Sequence, residues 1–120
     1  MRRETIDLIT KEQDGAFVLI LVEQGPWTGT SESHLRRIQE RLTNYLDIAI
    51  DGHLAKLHPE SRGKPVRIRV DAYDTPPGQV TKLVQRFASY VSESKEVARA
   101  ITGGQFVAGL AFESSEQALS

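Results

Sequence analysis

From Ser31 to Gly52 the residues Leu35, Ile38, Leu42, Tyr45, Leu46 and Ala49 recur at steps of three and four, while Arg36, Arg37, Glu40, Arg41, Asn44 and Asp47 fill the positions between them. This spacing predicts one amphipathic helix. Ser31 is suited to cap it, because a hydroxyl there can accept a first-turn N–H, and Glu32 matches the positive end of the helix dipole. Gly52 can adopt the left-handed conformation that ends a helix. Each buried side chain of the stripe contributes roughly 1.5–3 kcal/mol before entropy is subtracted. The helix must therefore lie on something apolar.

The strands supply that surface. Ile6, Leu8 and Ile9 give a modest strand pattern over Thr5 to Lys11, and Asp14-Gly15 is a hairpin turn signal. The next strand, Ala16 to Glu23, holds Phe17 to Val22 as an apolar run without alternation, the pattern of a strand covered on both faces. The third strand, Pro65 to Tyr73, alternates: Val66, Ile68, Val70 and Ala72 point one way, Arg67, Arg69, Asp71 and Tyr73 the other. Between helix and third strand, Leu54 and Leu57 are expected to anchor a turn-rich connection. A second helix is expected after Thr75-Pro76-Pro77, with Thr75 as cap and Val80, Leu83, Val84, Phe87, Ala88 and Val91 as its stripe. Ser92-Glu93-Ser94 interrupts the stripe before Val97, Ala98 and Ile101, and the sequence leaves open whether the helix runs through or is recapped by Ser92 or Ser94. Gln105 to Glu113 is open to a fourth strand, and Ser114 to Ser120 reads as a frayed tail.

This order predicts an α+β two-layer sandwich, β-β-α-β-α with the optional fourth strand, both helices on one face of a mainly antiparallel sheet. At 120 residues the chain reads as one domain, with its core over about 5–101 and an extension over 102–120. If helices cover one face, the outer half of Phe17 to Val22 remains as an exposed aliphatic row, which a second copy or a tail would hide.

His34-Leu35, Gln39-Glu40-Arg41-Leu42, Tyr45-Leu46, Gly52, Pro59, Gly63, the Val66, Ile68 and Val70 strand and Pro76-Pro77 occur in an order and spacing that resembles a family of small bacterial proteins catalogued as a domain of unknown function. Asp7 and Trp27 fit the same pattern. The resemblance spans roughly Thr5 to Val91 and does not extend over Ser92 to Ser120. It implies the fold and brings no catalytic motif with it.

Composition narrows the chemistry. Fifteen Lys plus Arg against sixteen Asp plus Glu give a net charge of −1, too small a field to gather nucleic acid or an anionic membrane. The absence of cysteine excludes disulfides, thiolate nucleophiles and Cys-based metal sites, and the cytoplasm is the expected location. No apolar run approaches a membrane span. His34, His53 and His58 lack metal-ligand spacing, with His34 about 25 Å from the others along a straight helix. No cofactor or metal is expected. The serines form no nucleophile elbow, and the glycines form neither a phosphate loop nor a dinucleotide fingerprint.

The expectation is a domain of unknown function that acts by contact and without covalent chemistry, most simply as a homodimer, with an unidentified protein partner left open. Self-association is assigned to Phe17, Leu19 and Leu21 or to the last apolar segment with Phe106, Leu110 and Phe112. Two alternatives name other residues. An enzyme or small-anion site would use Trp27, His34 and the helix N-terminus. A nucleic-acid contact would use Arg67 and Arg69, with Tyr73 as a stacking ring, although Asp7, Asp71 or a partner subunit could pair with the two arginines.

Overall fold

The computed structural model describes residues 8–103 and 106–117. Strand β1 (Leu8–Lys11) and strand β2 (Phe17–Gln24) form the expected hairpin. Asp14 shapes its turn by accepting the Ala16 N–H on its carboxylate (2.9 Å), and Gly15 takes a φ of 89°. Helix α1 (Ser31–Ile50) follows, then the short α2 (His53–Leu57) and a 3-10 turn over Pro59–Ser61. Strand β3 (Lys64–Tyr73), helix α3 (Gln79–Ser92), helix α4 (Lys95–Thr102) and strand β4 (Val107–Gln117) complete the chain. The Thr5 to Asp7 part of the first expected strand lies outside the described residues.

The four strands lie in chain order, β1-β2-β3-β4. Only β1 and β2 pair antiparallel; β2 with β3 and β3 with β4 are parallel. The expected α+β two-layer arrangement stands, but the mainly antiparallel sheet does not. The reason is the connections: α1 carries the chain from β2 to β3, and α3 with α4 from β3 to β4. A helix packed against the sheet returns the next strand in the same direction.

The core lies between the sheet and the helices. Phe17, Leu19 and Leu21 of β2 and Val66, Ile68, Val70 and Ala72 of β3 meet Ile38, Leu42, Tyr45 and Ala49 of α1 and Val80, Val84 and Phe87 of α3. The β3 alternation and both helical stripes are thereby used as read, except for Leu35 and Ala88, which are half-buried outside the core. Leu54 is buried as expected, but Leu57 is 56% exposed and anchors nothing.

Caps differ from expectation in informative ways. Thr30, one residue before Ser31, caps α1 by accepting the Ser33 N–H (3.3 Å), because Thr30 has the extended backbone that a cap requires. Gly52 has the left-handed φ of 98° just past α1. Thr75 does not cap α3, which begins at Gln79 after Gly78, and the Thr75 hydroxyl is buried without a partner. Ser94 recaps the chain for α4 by accepting the Val97 N–H, settling the break that the sequence left open.

The cap of α3 comes from far along the chain. Glu116 in β4 accepts the backbone N–H groups of Gly78 (2.9 Å) and Thr81 (3.0 Å) and the Thr81 hydroxyl. Burial pushes the Glu116 carboxyl up, but these hydrogen bonds outweigh it and hold the group below its ordinary value. The residues read as a frayed tail thus include Ser114 to Gln117, which pair in register with Val70 to Tyr73.

Candidate functional site

The C-terminal end of β2 brings together the candidates Trp27 and His34 with two residues that sequence reading missed. Glu23 continues the Phe17, Leu19, Leu21 parity and so faces the helices, where it is only 2% exposed. A carboxylate held that far from water needs donors. One of its oxygens accepts from Arg37 of α1 (2.7 Å) and from the Trp27 indole N–H (3.0 Å). Trp27 in turn stacks on His34, with ring centroids 5.0 Å apart and planes at 5°.

His34 is engaged at both ring nitrogens. Nε2 lies 2.6 Å from the Thr28 carbonyl, which can only accept, so Nε2 carries the proton. Nδ1 lies 3.4 Å from the Arg37 guanidinium, which can only donate, so Nδ1 presents its lone pair. A neutral ring protonated on Nε2 satisfies both contacts. Gly25 fixes the loop that carries Trp27: its N–H donates to the Tyr73 carbonyl (2.7 Å), and a Cβ there would lie 1.8 Å from the Asp74 carbonyl oxygen.

Chemically the cluster is self-contained. The Glu23 charge is matched by Arg37, His34 has no free nitrogen, and Trp27 packs against the core as a lid. The parity of Glu23 within an otherwise apolar strand was a usable signal for it. Arg37 carries no local signal, since its partner is fourteen residues away.

The outer sheet face holds Arg67, Arg69 and Tyr73. Arg67 binds Asp14 at 2.8 Å, and that pairing, after the Ala16 backbone hydrogen bond, lowers the Asp14 carboxyl below its usual value. Arg69 binds Asp71 through two hydrogen bonds of 2.8 and 3.3 Å, with Glu113 at 3.9 Å. Both arginines are therefore neutralised within the chain, Arg69 by the expected Asp71 and Arg67 by the hairpin turn. Asp7 lies outside the described residues.

The expected exposed aliphatic row is not found: Val18 and Ile20 on the outer side of β2 are 0% and 2% exposed. Their register neighbours are Thr10 and Leu8 on one side and Arg67 and Arg69 on the other, and arginine stems cover apolar surface well. Phe17, Leu19 and Leu21, assigned to self-association, face the opposite way and are closed in the core. Phe106, Leu110 and Phe112 are half-buried, and Phe112 meets Phe87 edge-on at 5.3 Å. Leu110 and Phe112 line a shallow groove of about 380 Å³ with Val91, Val97, Ala98 and Ile101, immediately inside the β4 edge.

Of the remaining histidines, His53 opens α2 and His58 lies 6.3 Å from the Phe17 ring. Among the described residues, no three His, Asp or Glu side chains converge as metal ligands, and no helix is long and apolar enough to cross a membrane.

Fold and site together define a small α+β protein whose polar cluster is a structural latch. The chain belongs to a family of unknown function, DUF6572, whose model matches residues 1–100. Neither the curated proteins nor the solved structures give a match. The family match stops before β4, so the strand that completes the sheet and caps α3 lies beyond it.

Proposed function

We propose that this protein is a non-catalytic interaction domain that associates with itself through the β4 edge. The observation that carries the reading is the open side of β4: eleven residues long, last in the sheet, and flanked by the apolar groove of Leu110 and Phe112. An edge strand offers a row of unused N–H and C=O groups. The other edge, β1, spans only four described residues.

Antiparallel pairing of two β4 strands with Phe112 opposite Phe112 brings Leu110 and Phe112 of both copies together on the helix side. In that register Glu113 faces Ala111 and Glu116 faces Ala108, so no two carboxylates oppose each other. The closed state of the Trp27 cluster counts against an anion site there, since its buried charge is already a carboxylate. The paired state of Arg67 and Arg69 counts against a nucleic-acid face. The cysteine-free composition supports the cytoplasm as the place of action.

Light scattering after size exclusion tests the reading. The wild type should have twice the chain mass; Ala111→Asp, which sets a carboxylate against Glu113 of the partner subunit twice, should run as a monomer, whereas Ala111→Lys should remain a dimer. Ala111 is exposed, so neither change disturbs the core. A monomeric wild type at high concentration, or an Ala111→Asp variant that stays dimeric, overturns it.

A further inference from the structure

The helix side of the molecule carries a second surface, which meets the β4-edge groove only at Val91 and Val97. Helices α1 and α3 follow parallel strands and themselves run parallel, and two depressions of about 510 and 450 Å³ lie between them. Gln39, Leu83 and Arg86 line both, so they form one continuous groove. Along α1 it extends from Glu32 to Ile50, which at 1.5 Å per residue is about 27 Å, or five helical turns. Its apolar lining comes from Leu35, Leu46, Ile50, Leu83, Phe87 and Tyr90. Tyr90 stands at the lip with 69% of its surface exposed, the largest exposure among the bulky apolar residues described.

The charges along the groove are sorted by sign. Lys82 lies toward the N-terminal ends of the two helices, with Arg36, whose partner Glu32 holds it at 3.1 Å, and Arg86 stands at mid-groove, where it lines both depressions. Asp47 and Glu96 lie at the other end, with Asp51 one turn beyond Asp47. Among the described residues none of Lys82, Arg86, Asp47 and Glu96 has an ion-pair partner. Burial first, then the charges of Asp51 and Glu96, push the Asp47 carboxyl above its usual value, as expected for an acidic end that no cation neutralises.

We propose that this groove receives an amphipathic helix of another protein, acidic in its first turn and basic in its last, lying parallel to α1 and α3. Such a helix places its acidic turn over Lys82 and its basic turn over Asp47 and Glu96, with Arg86 beside its middle. That is also the charge order that a helix dipole favours in the partner itself. The apolar stripe of the partner fills the space between Leu83 and Leu46, with Tyr90 closing over it, the arrangement of helix-in-groove recognition. A second copy of this chain fits less well, since its α1 ends in Asp47 and Asp51 with no basic residue in the last turn.

The probe is a synthetic peptide of about 18 residues with a leucine stripe, three glutamates in its first turn and three lysines in its last. One control exchanges the end charges and the other scrambles the stripe. Calorimetric titration of the full chain should show binding of the first peptide that is roughly tenfold weaker with exchanged ends and lost with the scrambled stripe. Lys82→Glu should reverse the preference between the two end arrangements, and Tyr90→Ala should weaken both; both residues are exposed, so the fold is retained. No binding of the first peptide, equal binding of the scrambled one, or an unchanged preference in Lys82→Glu overturns the proposal. So does a loss of dimer mass in Tyr90→Ala, which assigns the groove to a second copy; the Ala111 variants report on the β4 edge separately.

Discussion

The indole of Trp27 and the imidazole of His34 lie face to face at 5.0 Å, and the same indole donates to the buried Glu23. Because Trp27 is the only tryptophan, its emission reports this latch directly. Glu23→Gln keeps an acceptor for the indole but turns the charged contact with Arg37 into a neutral one, at a cost of about 1 kcal/mol. Arg37→Ala leaves the carboxylate buried with Trp27 alone and should cost about 1–3 kcal/mol. Urea unfolding followed by Trp27 fluorescence measures both; two unchanged midpoints would mean that the cluster carries no structural load.

Glu116 gives a prediction with a defined pH dependence. Its carboxyl is held below its ordinary value in the fold, so the stability it contributes is present above the unfolded value of 4.5 and is lost as pH falls through the lower folded value. Glu116→Gln should cost about 0.5–2 kcal/mol near neutrality, the range for a lost helix cap. The gap between variant and wild type should close in acid. Denaturation at pH 7 and pH 3 tests this, and a gap that does not narrow would mean that the contact is not charge-dependent.

Asp47 has the opposite sign. Its carboxyl is raised above the ordinary value, first by burial and then by Asp51 and Glu96, so ionisation destabilises the fold as pH rises through the folded value. Asp47→Asn should stabilise the protein at neutral pH by roughly 0.2–0.5 kcal/mol, the scale of one like-charge pair a helical turn apart. Thermal melts should show a higher midpoint for the variant at pH 7 and none at pH 3.

Ending the chain after Gly103 removes β4 and with it the Glu116 cap, Val107 from the core and the Phe112 contact with Phe87. The whole family match is retained, yet β3, buried on its core face, becomes an edge. The shortened chain should lose the cooperative unfolding transition of the full chain, as followed by circular dichroism. A shortened chain with the full transition would show β4 to be dispensable.

Periodicity and turn signals among chain neighbours are legible in the sequence, whereas the exact cap positions are not: Thr30 and not Ser31 caps α1, and Thr75 caps nothing. The three-and-four spacing of Leu35 to Ala49, the Asp14-Gly15 turn, the alternation of Val66 to Ala72 and the left-handed Gly52 all concern residues within a few positions of one another. Periodicity and backbone preference act over that range. The four residues of the Trp27 cluster were half legible: Trp27 and His34 stood out by type, and Glu23 by the parity of its strand, but nothing local marks Arg37.

By itself, then, the sequence determined the β1–β2 hairpin, the helices α1 and α3, the strand β3 and the family. Tertiary structure decided the direction of the strands, the inward face of Phe17, Leu19 and Leu21, the pairing of Arg67 with Asp14 and the capping of α3 by Glu116. Each of these joins segments that are far apart in the chain, fifty-three residues for Arg67 and Asp14 and thirty-five for Thr81 and Glu116. Such contacts form only once helical crossovers have set the strands side by side, and no local preference encodes which distant residues then meet.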